Sequence, residues 1–273
     1  AQNPEWAVLQ EYYTFTFFFD SKAIQEQMPL LIELTTIYRQ KEELFVRLLN
    51  KVRNNQMDAE DLEILNERYQ PGFRPDSDET FITLTSHNNQ AELINRQQLQ
   101  RLTTPPYTYT ANIEGEFPEN SYPADAELVL REGAQVMFLK NDVLGKRFFN
   151  GKIGVVHSLT DDEVIVRCGK ENIRVQKETW EHARYTLNRS DGKLEQDVLG
   201  TFEQYPLRLA WAITIHKSQG LTFEKVMIDA GLSFTSGQVY VALSRCTSLN
   251  GIVLLSKIQP NEKIKFYFIK ILY

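Results

Sequence analysis

Cysteine is scarce in this chain: two residues, Cys168 and Cys246, among 273. They lie far apart, each in an apolar strand or helix setting. That excludes a disulfide framework and a zinc-ligand pattern, and both read as buried thiols of a protein in a reducing compartment, with the cytoplasm as the expected location. Long apolar runs are absent too. No stretch of 18 apolar residues exists, so no membrane-spanning helix and no membrane partner are expected. No charged segment followed by an apolar one opens the chain, so a secretory signal is not expected. An excess of basic charge is also lacking, because 30 Lys and Arg face 36 Asp and Glu for a net charge of −6. This weighs against a broad basic nucleic-acid footprint. It leaves room for a narrow groove that grips a strand with few phosphate contacts and backbone amides. There is no internal repeat or low-complexity tract. The remaining composition, 42% hydrophobic and 24% charged, is that of a globular chain with one large or two modest cores.

The most informative stretch runs from Leu207 to Ser256. Pro206 stands where a helix can start, and Leu209, Trp211, Ala212 and Ile213 predict a mostly buried helix ending near Gly220. Val226, Met227 and Ile228 predict a short parallel strand ahead of Asp229 and Gly231. Ser236 can cap a second helix through Val239, Tyr240 and Leu243. Asn250-Gly251 marks a turn, and Ile252 to Leu255 reads as another buried strand. Parallel strands need crossover connections, so the unit is expected to be α/β. Two polar insertions interrupt it: His216-Lys217-Ser218-Gln219-Gly220 and Ala242-Leu243-Ser244-Arg245. Polar residues at element ends are where such folds keep their chemistry.

These insertions resemble motifs V and VI of the superfamily-1B DNA helicases, the RecD-like and Pif-type enzymes. Upstream, Leu34-Thr35-Thr36-Ile37-Tyr38-Arg39-Gln40 resembles the family's motif IV, with its Arg-Gln pair. Gly133 to Asn141 (GAQVMFLKN) resembles the strand leading into the family's inserted β-barrel. One such match is weak; four in order across roughly residues 30 to 258 are strong. The resemblance implies an α/β domain with a RecA-like, P-loop-NTPase-type parallel sheet. It also implies a small barrel of the Src-homology-three type at 146–205. There Phe148-Phe149-Asn150-Gly151-Lys152-Ile153-Gly154 keeps the family's Asn-Gly turn and following glycine, with different apolar residues before them. Short apolar runs at 153–156, 164–166 and 173–175, separated by turns, predict strands of such a barrel independently.

One family element is absent. None of the 13 glycines belongs to a G-x-x-x-x-G-K-[ST] phosphate loop, and no apolar strand ends in an Asp-Glu pair. The sequence also begins Ala1-Gln2-Asn3-Pro4 without a methionine. The expectation is therefore a C-terminal half, inactive as an ATPase alone. ATP and Mg2+ would be bound mainly by an N-terminal RecA-like domain, with residues 1–30 as the connection. Residues 31–145 and 206–273 would form the second RecA-like domain. The aromatic run from Tyr12 to Phe19 reads as packing rather than as a base-stacking platform.

Elsewhere, 41–66 predicts two helices. Leu44, Val46, Leu48, Leu49 and Val52 give the first its apolar face. Asp58 caps the second, which buries Leu62 and Leu65. Phe81 to Thr85 predicts a strand, Asn89 to Leu102 a helix, and 103–124 an irregular excursion.

By resemblance, Arg39 and Arg245 are the catalytic candidates, an arginine pair reaching the γ-phosphate. On position alone, Arg245 could equally complement a helix dipole, and Arg39 could be a surface residue. Gln40, Gln219, Gly220 and Glu224 are the nucleotide-binding candidates; Gly220 admits close backbone approach, and Glu224 equally fits a solvated turn. Thr85, Ser86, His87 and Asn88 follow a strand and precede a helix, where hydroxyls and amides meet phosphates, though an ordinary N-cap fits as well. With His216, Lys217 and Ser218 they form the expected single-stranded DNA contacts. No metal ligand set is expected. The leading expectation is the C-terminal motor domain of an ATP-dependent 5′-to-3′ DNA helicase. The alternative is a stand-alone, non-enzymatic module binding single strands or a protein partner.

Overall fold

The computed structural model describes residues 11–13, 21–30, 32, 38–76, 79–142, 145–187, 194–229 and 237–259. Residues 1–38 and 39–273 are separate compact units. The first contains helix α1 (Lys22–Glu26), with Ser21 accepting from the Ile24 amide as its N-cap. Of the expected aromatic run, Tyr12 and Tyr13 lie among the described residues. Tyr12 is largely exposed and carries Lys22 over its ring, which is a solvated contact rather than packing.

The second unit opens with α2 (Glu43–Arg53). Its buried face is Phe45, Leu48, Leu49 and Val52. Phe45 replaces Leu44 on that face; Leu44 is 38% exposed. Helix α3 (Ala59–Asn66) starts on the expected cap: the Asp58 carboxylate accepts from the Asp61 amide, and the Asp61 carboxylate accepts from the Asp58 amide. Leu65 is buried, and Leu62 only partly so.

Strand β1 (Ile82–Thr85) is fully buried and leads into helix α4 (Asn88–Arg101). After β2 (Tyr107–Thr110), β3 (Asn112–Gly115), β4 (Glu127–Leu130) and β5 (Gln135–Phe138) come β6 (Ile153–Leu159), β7 (Val164–Cys168) and β8 (Glu171–Val175). The long hairpin strands β9 (Glu178–Leu187) and β10 (Leu194–Gln204) follow, then β11 (Leu207–Leu209), β12 (Ala212–Thr214), β13 (Val226–Ile228), helix α5 (Gln238–Leu243) and β14 (Ile252–Leu254).

The parallel sheet has the order β12-β1-β13-β14. Its strands are buried on both faces, with Thr83, Thr85 and Thr214 as their polar members. Ile82, Leu84, Val226, Ile228, Ile252 and Leu254 enter one core with Phe45, Leu48 and Leu243. A five-stranded antiparallel sheet, β11-β5-β6-β7-β8, has its own core of Val136, Phe138, Val156, Val164, Val166 and Ile173. This sheet draws β5 and β11 from outside 146–205. Gln135, 5% exposed, joins the two sheets by donating from Nε2 to the Phe81 and Ala210 carbonyls, each at 2.8 Å. Gly154 lies where β6 crosses β7; a methyl there would strike Val166 Cγ1 and sit 2.7 Å from Cys168 Sγ. Both cysteines are buried and free, and burial raises both thiol pKa values. Among the described residues no helix is long and apolar enough to cross a membrane.

The expected helix from Leu209 to Gly220 is not there. The segment forms β11, β12 and a run of tight turns. Its apolar residues suit either period, and partners decide. Thr83 donates to the Trp211 carbonyl, Ala210 donates to the Gln135 carbonyl, and the Asn95 side chain pairs with both backbone groups of Ala212. Backbone groups of β11 and β12 that a helix would have satisfied internally are met by the neighbouring strands and by Asn95. Ser236, the expected cap of α5, lies outside the described residues; Gly237, at φ 90°, occupies the N-cap.

Candidate functional site: two clusters at the sheet's carboxyl edge

Parallel α/β sheets bind ligands beyond the carboxyl ends of their strands. Here β1 and β12 are paired with Thr85 opposite Thr214, so the loops at 86–88 and 215–220 emerge side by side. Ile215 donates to the Thr85 carbonyl at 2.9 Å and locks the two exits together. His87, Asn88, His216 and Lys217 are exposed there. Helix α4 begins at Asn88 with His87 as N-cap and no side-chain cap, so its first amides are open to an anion. Ser86 Oγ is 2.7 Å from His87 Nδ1 and orients the ring.

Two of the expected strand contacts turn inward instead. Thr85 and Ser218 are each 0% exposed. Thr85 Oγ1 donates to the His87 carbonyl and Ser218 Oγ to the Ile215 carbonyl, at 3.1 and 2.6 Å. Their hydroxyls hold the loops in shape rather than reaching a phosphate. Residues 34–37 of the upstream motif lie outside the described residues.

The second cluster gathers residues roughly 200 positions apart. Arg39 Nε donates to Thr222 Oγ1 at 2.8 Å and its Nη1 to the Ser244 carbonyl at 2.9 Å. Gln40 Nε2 donates to the Ser244 and Cys246 carbonyls. Arg245 Nε donates to the Val241 carbonyl and Nη2 to Ser244 Oγ, each at 2.9 Å. Arg245 is partly buried, and its pKa is lowered first by burial and then by the like charge of Arg39. Two guanidiniums held this close without a carboxylate partner repel each other, and an anion between them would relieve that cost. No carboxylate pairs with either guanidinium among the described contacts.

Gly220, at φ 81°, and Gln219 are exposed on the turn between the clusters, and no atom lies within 4 Å of a methyl built on Gly220. Glu224 has an exposed side chain while its carbonyl packs against Gly251 and accepts from Cys246 Sγ at 3.3 Å. The arrangement therefore joins Arg39, Gln40, Arg245 and the 219–222 turn, with Glu224 at the next bend. Sequence reasoning assigned no role to Thr222 or Ser244; the signal was that Ser244 lies within the second polar insertion and Thr222 two residues beyond the first.

No protein-family model matches the sequence. The chain is 34% identical over 252 residues to the human protein called ATP-dependent DNA helicase PIF1, covering 88% of this chain and 37% of that one. It is 38% identical to Bacteroides sp Pif1 in complex with ADP-AlF4, at TM-score 0.83, covering 97% of this chain and 60% of the other. A Bacteroides Pif1 structure in complex with ADP-AlF3 and single-stranded DNA matches at TM-score 0.66 and 38% identity, covering 95% of this chain and 60% of that one. The chain thus spans less than two thirds of the length of these relatives. Its mixed α/β fold, built on a parallel sheet, is that of helicase domains. It belongs to the Pif1-type superfamily-1B helicases.

Proposed function

We propose that this chain is one motor domain of an ATP-dependent DNA helicase and completes an ATPase site only with a second, P-loop-bearing RecA-like domain. The observation that carries this is the convergence of Arg39 and Arg245 on one hydrogen-bond network beside the exposed 219–222 turn. Both guanidiniums now rest on neutral acceptors. Turning them onto a γ-phosphate exchanges neutral contacts for charge-assisted ones, which are roughly twice as strong, and removes their mutual repulsion. An arginine so placed is worth about 10³–10⁵ in rate in comparable phosphoryl transfers.

ATP would lie between the two domains, with Gly220 and Gln219 near it and Glu224 at the edge of the site. Among the described residues no group of three or more His, Cys, Asp or Glu could hold a metal, so Mg2+ is assigned to the partner domain's side of the nucleotide. Single-stranded DNA would cross the sheet's carboxyl edge. There His87, Asn88, His216 and Lys217 and the open amides of α4 would hold phosphates, with Ser86 orienting His87. Residues 215–222 run from the strand-facing loop to the arginine cluster, so a change at the nucleotide is felt at the strand. The 5′-to-3′ direction is carried over from the family resemblance. We assign 1–30 to the connection and 31–145 with 206–273 to the RecA-like body. The inserted small barrel at 146–205 is supported by the antiparallel sheet, which widens it to Gln135 and Leu209.

The test is ATP turnover and strand affinity of the intact helicase carrying Arg245→Ala. Turnover should fall by about 10³-fold or more with strand affinity retained. Turnover at the wild-type rate would remove the arginine-finger assignment.

A further inference from the structure

We infer that Gln40 is a positioning residue for Arg245 and not a nucleotide contact. The inference rests on the arginine-finger reading above. Gln40 is 6% exposed. Its Nε2 donates to the Ser244 carbonyl at 3.0 Å and the Cys246 carbonyl at 2.8 Å, the acceptors on either side of Arg245. A carboxamide nitrogen has two hydrogens, and both are used. None is left for a phosphate or a ribose.

The bracket acts on the one stretch where backbone direction decides where a guanidinium points. Ser244 is the C-cap of helix α5 and makes its last i→i−4 bond, to the Tyr240 carbonyl at 2.9 Å; from Arg245 onward that ladder no longer defines the backbone. The Arg245 amide donates to the Ala242 carbonyl at 3.1 Å, and its carbonyl accepts from Phe223 at 2.9 Å. With these two bonds and the Gln40 bracket, the peptide groups around the Arg245 Cα are held from both sides. Arg39 Nη1 shares the Ser244 carbonyl with Gln40. Arg39 has a second anchor, its Nε bond to Thr222 Oγ1 at 2.8 Å, so the loss of Gln40 falls on the Arg245 peptide groups.

Space-filling alone does not account for this contact. An apolar side chain of the same length would fill the volume, but it would leave the Cys246 carbonyl without its donor and the Ser244 carbonyl to Arg39 alone. That difference makes the proposal testable. ATP turnover would be measured in the intact helicase with single-stranded DNA present, for Gln40→Met, Gln40→Glu, Arg245→Ala and the double variant Gln40→Met with Arg245→Ala. Misplacement of a reacting group by about 1 Å can cost roughly 10²-fold. Gln40→Met and Gln40→Glu should lower kcat by about 10-fold or more, with KM for ATP and strand affinity close to wild type. The double variant should turn over at the rate of Arg245→Ala, because Gln40 acts only through that residue.

Wild-type kcat in Gln40→Met, or losses that multiply in the double variant, would overturn the assignment. A raised KM with unchanged kcat would return Gln40 to nucleotide binding. Strand affinity reports folding. Should the Met variant unfold, Gln40→Asn, whose shorter arm reaches one carbonyl but not both, must show the same kcat loss, and wild-type kcat there also overturns the proposal. An active Arg245→Ala would remove the arginine-finger reading itself. An inactive Arg245→Ala beside an active Gln40→Met would remove this inference alone.

Discussion

Arg245 and Gly154 show opposite ways in which a single residue matters. Arg245 is costly to keep: it is partly buried, its charge is disfavoured by burial and by Arg39, and its bonds go to neutral groups. A side chain held at such a cost is a candidate for function. Gly154 matters because nothing else fits. Its backbone is not in the left-handed region, yet a methyl would meet Val166 and Cys168. Gly154→Ala should therefore destabilise the fold by about 1–3 kcal/mol through overpacking, seen as a lower Tm. Unchanged melting would mean that β6 and β7 separate freely. The motifs of both residues were legible in the sequence. Their contacts were not, because Arg245 reaches Val241 and Leu221 only through the turn that follows α5.

At the scale of elements, local signals held where they were strong and local. The Asp58 cap is one. Its carboxyl is held down to about 2, first by the Asp61 amide and then by Lys51. A carboxyl with a lowered folded pKa contributes stability above its unfolded pKa and loses it as pH falls through the folded one. The advantage of wild type over Asp58→Asn should be full at about pH 5 and vanish towards about pH 2. Thermal melts across that range measure it, and a pH-independent gap would contradict the assignment. Strand β1 was equally plain, and Leu84, 0% exposed, sits at its centre. Leu84→Ala should cost about 2–5 kcal/mol, measured by denaturant unfolding. Residues 209–220 went the other way. Their short apolar run suits helix or strand, and the decision lies with Thr83, Asn95 and Gln135, about 75 to 130 residues earlier in the chain. The β9–β10 hairpin was also illegible, because its strands mix six charged residues with eight apolar ones and their aromatics meet partners outside the hairpin as well as within it. Trp180 and Tyr122 lie 6.0 and 4.9 Å from Phe202.

At the scale of the whole molecule, the acidic balance takes on a location. Residues 112–120 and 178–204 hold nine carboxylates and three cations, a net of −6, which equals that of the entire chain. The charge that weighed against a nucleic-acid partner therefore belongs to β3 and the β9–β10 hairpin, and the remainder is balanced. The loops after β1 and β12 keep Lys217 exposed with no acidic partner among the described ion pairs. Lys217→Ala should weaken strand binding alike for every sequence and reduce the slope of log affinity against log salt by about 1. Titrations at several salt concentrations would show it, and an unchanged slope would place Lys217 off the strand path.

Sequence alone determined the class of fold, the Asp58 cap, the buried strands 82–85, 226–228 and 252–254, and the four ordered motifs. Each depends on neighbours a few residues apart or on the residue types themselves. Only the tertiary structure decided that 207–209 and 212–214 are strands, that Thr85 and Ser218 face inward, and that Gln40 brackets Arg245. Those outcomes depend on hydrogen-bond partners about 70 residues away or more, or on which way a turn faces, and neither propensity nor periodicity carries that information.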